Sequence, residues 1–375
     1  MQFELDADEQ QLQDSLRRLL DAQASFERRR LAVASQEGWH PALWQALGEL
    51  GVTAMVLPEA HGGFGQATIA WLPVLQELGR ALALSPFLAT AVLAATAIAR
   101  GGSHAQQGAW LPAIASAQQV LALAHDEPAA RHAPLWVEAE AARSGDGWRI
   151  TGPKRNVLHG ASADLLVVSA RTGGAPEQRE GVALFLVDAM QAGVQRTPVR
   201  LIDDTPAAEI RFDGALAEPL AGGWRVLEAV QQAGLAAVCA EALGVAERAY
   251  ALTVDYVQAR QQFGRAIGSN QALRHRVAEM RVALEMVRSA AMAGLLALQV
   301  EDDARREREL SRAKMLVARH GTFIAQQAIQ LHGGIGMTIE YPVGHCLRRM
   351  MVIEQLFGDG ATHAARLGGT LSCGV

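Results

Sequence analysis

Apolar residues recur at helical spacing, with charges between them, across residues 8–30, which predicts an amphipathic helix. Pro41 suits the first turn of a second helix running through Leu50. Residues 58–65 are rich in glycine and read either as a connection between helices or as the lining of a ligand site. Two alanine- and leucine-rich stretches then run to about residue 100, which favours helix. Beyond them the period changes. Short apolar runs at residues 120–124, 163–169 and 181–187 are bounded by Gly, Pro or Asp, as strands are. Residues 144–147, Ser-Gly-Asp-Gly, lie between two further runs and predict a hairpin turn. Helical spacing returns at Trp224, in long alanine-rich stretches over residues 224–260 and 272–300. Charged residues 301–312 mark a solvated turn and the start of a third helix, through Leu331. The expected fold is mainly α with a central β domain. Its order is an N-terminal helical domain (1–115), a small antiparallel β domain (116–220) and a C-terminal helical bundle (221–375).

Composition narrows the class. Half of the 375 residues are hydrophobic and 19% are charged, so disorder is excluded and a large core is available. A formal charge of -5 gives no basic footprint, and no nucleic-acid partner is expected. Residues 81–99 approach membrane-spanning length, but their many alanines and the interruption at Ser85 and Pro86 fit a buried core segment. The acidic opening, residues 1–6, does not read as a signal peptide. Cys239, Cys346 and Cys373 lack metal-ligand spacing and suggest buried thiols in a reducing compartment. A cytoplasmic protein with no membrane contact and no metal is expected.

Two segments stand out. The first, residues 256–271, holds Arg260, Gln262, Phe263, Gly264 and Gln271. The second runs Gln330-Leu-His-Gly333-Gly334-Ile-Gly336. Either alone suits an ordinary helix end, with a terminal arginine in one and helix-stopping glycines in the other. Together, in this order and each tied to long helical sequence, they resemble the two flavin-binding signatures of the acyl-CoA dehydrogenase family. The resemblance covers nearly the whole chain. It implies that family's fold, with a C-terminal four-helix bundle, and FAD as cofactor. It also implies a role for each segment. Arg260 would meet the pyrophosphate by charge-assisted hydrogen bonds, Phe263 would give a flat apolar contact, and the glycines would admit phosphates and adenosine. In the family this arginine and phenylalanine reach a flavin held mainly by the neighbouring subunit.

Within the family the chain is most similar to small subunits of the pimeloyl-CoA and sterol side-chain type. These carry Cys-Ala-Glu-Ala-x-Gly, here residues 239–244, together with Val-Gly-His-Cys at 343–346 and Leu-Phe-Gly-Asp at 356–359. The implied reaction removes an α proton and a β hydride from an acyl-CoA, leaving a trans-2-enoyl thioester. An electron-transfer flavoprotein is the implied acceptor. The proton needs a carboxylate base of raised pKa. In most of the family it is a glutamate near the C-terminus, where this chain has Gly358, or Phe357 in the alternative register, beside Asp359. Other members place it on the first long C-terminal helix, where this chain has Gly234. Glu241 lies seven residues on, two turns along the same face, with Ala237, Val238, Gly244 and Val245 as expected neighbours. Burial there would raise its pKa, making it the candidate base. The other reading pairs Glu241 with a basic side chain such as Arg248 or with a partner subunit.

The β region departs from the family pattern. Of the segment at residues 126–133 only Glu127-Pro128 is retained, and Leu158 stands where a threonine would hydrogen-bond the flavin. His125 and His132 read either as substitute polar contacts or as surface histidines. These departures imply a related large-subunit chain, or a second copy, in a dimer or tetramer. The alternative function is a non-catalytic structural subunit; a flavin oxygenase or oxidase on the same fold is a third. The resemblance suggests an unusual acyl-CoA, dicarboxylic, branched or ring-bearing.

Overall fold

The computed structural model describes residues 7–145 and 147–372, with side chains described for residues 10–145 and 147–369. Asp146 of the hairpin turn, Cys373 and the opening residues 1–6 lie outside the described residues. In chain order the first helices are α1 (Ala7–Gln23), α2 (Phe26–Ala34), α3 (Pro41–Glu49) and α4 (Trp71–Ala81). A π-helical stretch at Leu88–Ala94 then leads into α5 (Ala95–Gly101), which α6 (His104–Ala115) follows. Seven strands come next: β1 (Leu121–Ala124), β2 (Glu140–Ser144), β3 (Gly147–Leu158), β4 (Leu165–Arg171), β5 (Val182–Asp188), β6 (Val194–Arg200) and β7 (Pro206–Leu220). The remainder is α7 (Gly223–Ala259), the short pair β8 (Gln261–Gln262) and β9 (Arg265–Ala266), α8 (Gln271–Ala297), α9 (Asp303–His332), α10 (Pro342–Gln355) and α11 (Gly360–Ser372).

The helical, then β, then helical order is the expected one. Compaction groups it differently. One unit comprises Met1–Arg29, Thr68–Ala83 and Leu235–Val375, and the other Arg30–Ala67 and Leu84–Gly234.

In the second unit the seven strands form one sheet. Pairings β4–β2, β2–β3, β3–β7, β7–β5 and β5–β4 close a ring, so most strand edges are satisfied internally. The sheet is antiparallel as expected, except that β4 pairs in parallel with β1 and, at one position, with β2. The period-2 signal reports which faces are buried and carries no strand direction, so these parallel pairings were not readable from it. Inward residues of several strands, including Ile150, Leu166, Val168, Phe185 and Phe212, make the core. The β3–β7 pairing carries two bulges: Gly214 is the extra residue on β7 at the first, and the second lies on β3, where Asn156 takes a positive φ.

In the first unit α8 and α9 pack together, and the two are joined by a short turn, as the charged stretch predicted. The Asp302 carboxylate caps α9 by accepting from the Arg305 amide at 2.6 Å. The expected single helix over residues 8–30 is two, because the Ser25 hydroxyl accepts from the Arg28 amide and starts α2. Residues 81–99 are not one span either: Leu82 ends α4 in the left-handed region, and helix resumes only at Leu88. Among the described residues one helix, α7, is long and apolar enough to cross a membrane, and 83% of its apolar window is buried within the protein.

Candidate functional site

The segment after α7 is a two-stranded hairpin. Gln261 pairs with Ala266 and Gln262 with Arg265, leaving Phe263 and Gly264 as the two-residue turn. Both have positive φ, 53° and 78°, the conformation of a type I′ turn. Glycine adopts it freely. Phenylalanine does so at a cost, and its ring is 100% exposed, so neither local preference nor burial in this chain explains it. The hairpin is rooted in the helix end: the Arg260 amide donates to Tyr256 and the Ile267 amide to the Arg260 carbonyl, both at 2.8 Å. The Arg260 side chain is exposed and has no hydrogen bond or ion pair among the described residues. Gln262 and Gln271 are exposed beside it, Gln271 opening α8.

The second segment ends α9. Gly333 takes φ 64° and ψ -139°, a conformation essentially restricted to glycine, and turns the chain into the 3-10 stretch Gly333–Met337. A Cβ added at Gly333 or Gly334 would have no neighbour within 4 Å among the described residues, so internal packing there does not require these two glycines. Gly336 differs, being buried against His332 and Ile329. Gln330 is exposed.

The two segments are brought together by aromatic rings that sequence reasoning passed over. His332 is buried, and its ring stacks on Tyr256 with centroids 4.4 Å apart and planes 27° apart. On its other neighbour, Tyr341, the centroid distance is 5.1 Å. Nδ1 of His332 lies 2.7 Å from the Ala328 carbonyl, and burial holds the imidazole below its usual pKa. The signal available was the immediate adjacency of His332 to Gly333, and of Tyr341 to the Pro342 that opens α10.

These segments fit a dinucleotide. They offer an unpartnered guanidinium, a flat exposed ring, side-chain amides, and glycines with open space beside them.

The carboxylate expected as the base has other company. Glu241 is buried, as anticipated, but both its oxygens accept hydrogen bonds from Arg349 on α10, Nε to Oε1 and Nη2 to Oε2, each at 2.7 Å. A bidentate guanidinium of this geometry occupies both carboxylate oxygens at once. The partner is Arg349 rather than the Arg248 considered from sequence. Its backbone is just as constrained. A Cβ at Gly79 on α4 would lie 2.1 Å from the Glu241 carbonyl, and one at Gly244 would lie 1.8 Å from that of Gln76. Residues 239–244 are thus a helix-crossing surface, with the glycines admitting backbone contact.

Neither alternative position supplies a base. Phe357 and Gly358 both have positive φ in the turn before α11. Asp359 accepts from the Thr362 amide at 2.7 Å and caps that helix. Lys314 fixes the turn from below: its buried Nζ donates to the carbonyls of Ile353, Glu354 (3.2 Å) and Leu356 (2.8 Å). His363 Nε2 lies 3.0 Å from the Phe357 carbonyl and Nδ1 3.1 Å from the Ser311 hydroxyl, and burial pushes its pKa to about 4.

In the β unit the retained Glu127 is structural. Lys154, fully buried, donates to Glu127 Oε1 at 2.5 Å, Ser169 Oγ at 3.0 Å and the His125 carbonyl at 3.1 Å. Glu127 also accepts from the Glu138 and Ala139 amides. His125 is neither a surface residue nor a free contact: it lies between Ser169 (2.9 Å) and the Pro134 carbonyl (3.0 Å), with its pKa lowered to about 3 chiefly by burial. Both described cysteines, Cys239 and Cys346, are buried thiols pushed up to about 12.

Known proteins resemble the chain along its length. Family models described as acyl-CoA dehydrogenase N-terminal, middle and C-terminal domains match residues 6–118, 122–215 and 221–370. The acyl-CoA dehydrogenase FadE27 of Mycobacterium tuberculosis is 29% identical, the match covering 94% of each chain. Among solved structures, a chain of the ChsE4–ChsE5 complex of Mycobacterium tuberculosis is 28% identical with TM-score 0.89 over 99% of both chains. A chain of the Tcur3481–Tcur3483 steroid ACAD is 29% identical with TM-score 0.89 over 98% of both.

Proposed function

Because the chain belongs to the acyl-CoA dehydrogenase family of FAD-dependent oxidoreductases, we propose that it is one subunit of a heteromeric acyl-CoA dehydrogenase whose related partner brings the catalytic carboxylate. The assembly takes an α proton and a β hydride from an acyl-CoA thioester, releases the trans-2-enoyl product and passes two electrons to an electron-transfer flavoprotein. The observation that carries this reading is the bidentate capture of Glu241 by Arg349, with glycine or phenylalanine at the other two base positions. The two-chain complex among its structural relatives supports it, and a steroid ACAD among them supports a ring-bearing acyl group.

FAD, when bound, accepts the hydride. This chain's share is binding and orientation. Arg260 would neutralise pyrophosphate charge, and Phe263 would offer its ring to a group held largely by the partner. Gln262, Gln271 and Gln330 would donate or accept through their amides. Gly264, Gly333, Gly334 and Gly336 would let backbone approach closely. Glu241 holds α7 to α10 and keeps its proton-accepting oxygens occupied.

Co-expression with the genomic neighbour of similar sequence tests this. The expected complex carries a flavin spectrum bleached by acyl-CoA, and Glu241→Gln lowers its thermal stability while turnover per bound flavin is retained. Turnover lost from an intact, flavin-loaded Glu241→Gln complex would make Glu241 the base after all. A flavin spectrum and turnover from the single chain would overturn the two-chain reading.

A further inference from the structure

We infer that Tyr256, His332 and Tyr341 form a positioning clamp that sets the hairpin of residues 260–267 in register with the glycine turn at Gly333–Met337; the inference rests on the cofactor reading above. Each ring sits beside the segment it controls. Tyr256 is one helical turn before Arg260, whose amide donates to the Tyr256 carbonyl, so motion of that tyrosine carries the arginine with it. His332 immediately precedes Gly333 and is held by Ala328 within α9. Tyr341, four residues beyond the glycine turn, is the N-cap residue of α10.

The clamp is needed because little else ties these segments together. Residues 261–265 are exposed throughout, and Gly333 and Gly334 have no neighbour a Cβ would touch. A two-residue-strand hairpin is marginal without support. On the hairpin side the close packing lies at its base, where a Cβ at Gly268 would come within 2.8 Å of the Val257 carbonyl. On the glycine side, the Gly336 carbonyl lies 3.0 Å from where a Cβ of Gly344 would stand. Between the two, the buried imidazole, 4.4 Å from the Tyr256 ring and also beside the Leu252 backbone, is a contact that joins α7 to α9 next to both segments. A ligand needing Arg260 and the glycine turn at once must find both at a set separation, and that separation is what the stack defines.

The test uses the full chain with its partner, and FAD as the probe. His332→Ala is expected to speed amide exchange in residues 260–267 and 333–337 without cofactor, while the middle of α9 keeps its protection. FAD binding should weaken about threefold to tenfold, the range for losing an aromatic pair. His332→Phe, which keeps a flat ring, should restore both. Exchange that rises equally along all of α8 and α9, or a phenylalanine variant no better than alanine, would reduce His332 to ordinary packing and overturn the clamp. Wild-type complex that takes up no FAD overturns the proposed function and this inference's cofactor half with it. Wild-type complex that binds FAD no better than His332→Ala overturns the clamp alone.

Discussion

Glu241 and Arg349 face each other through two 2.7 Å hydrogen bonds, with side chains only 10% and 13% exposed, across a gap of 108 residues in sequence. A buried pair of this kind is costly to break from one side, because the surviving charge is left without a partner. Arg349→Ala is expected to destabilise the first unit by about 3–5 kcal/mol. Arg349→Met combined with Glu241→Gln should cost much less. Urea unfolding of the two variants checks this, and equal losses would show that the pair is not the source of the effect.

Gly244→Ala places a methyl group 1.8 Å from the Gln76 carbonyl, so α4 and α7 must separate. A loss of about 1–3 kcal/mol is expected, at the upper end because the obstructing atom is backbone. Gly108→Ala is the control: it is also helical, and nothing lies near its added methyl group. It should be neutral or slightly stabilising by thermal melt.

Lys314→Met preserves length and apolar stem while removing the donor to three carbonyls at the end of α10. Three acceptors that lose their donor, one buried and two partly buried, should cost about 2–3 kcal/mol in all. Amide exchange across residues 356–360 should rise before any global change. Protection that stays as in the wild type would show that the turn is held by its own backbone.

Acid should weaken both units, most strongly through His363 in the first and His125 in the second. His363 has its pKa lowered to about 4 and His125 to about 3, from an unfolded value near 6.5. Between those limits the unfolded chain binds a proton that the native chain refuses, so stability rises with pH there and falls on acidification. The loss begins below about pH 6.5 and runs on the order of 1 kcal/mol per pH unit for each histidine. Urea midpoints measured from pH 7.5 down to 4.5 should show it. His363→Gln should flatten the acid limb of the first unit.

Phe263→Asn is expected to separate stability from binding. Asparagine followed by glycine is the preferred type I′ turn, so the hairpin should be as stable as before or more so. FAD binding should weaken because the exposed ring is gone. An unchanged FAD affinity would remove Phe263 from the cofactor site.

How much was legible depended on whether the cause was local. The two-residue turn at Phe263 and Gly264 came only from the structure, because phenylalanine has no local preference for a positive φ. The helix entry at Pro41 and the long helix from Trp224 each follow from residues within a few positions of one another. The break at Ser25 was local too, but a capping serine inside an amphipathic pattern is easily read through. Glu241 was different. Its burial could be inferred from the apolar neighbours on its own helix, yet whether burial made it a base or an ion-pair member depended on α10.

The sequence by itself determined the element types, the helical–β–helical order, and the two glycine-bearing segments, because periodicity and turn chemistry act over one or two turns of chain. Tertiary structure alone decided which charges meet. Arg349 was chosen for Glu241, Lys154 for Glu127, and His332 for the place beside Tyr256 by the crossing of elements far apart in sequence. Electrostatic and stacking energies fall off within a few ångströms, so a partner's identity is set by which backbones cross closely enough to place it there.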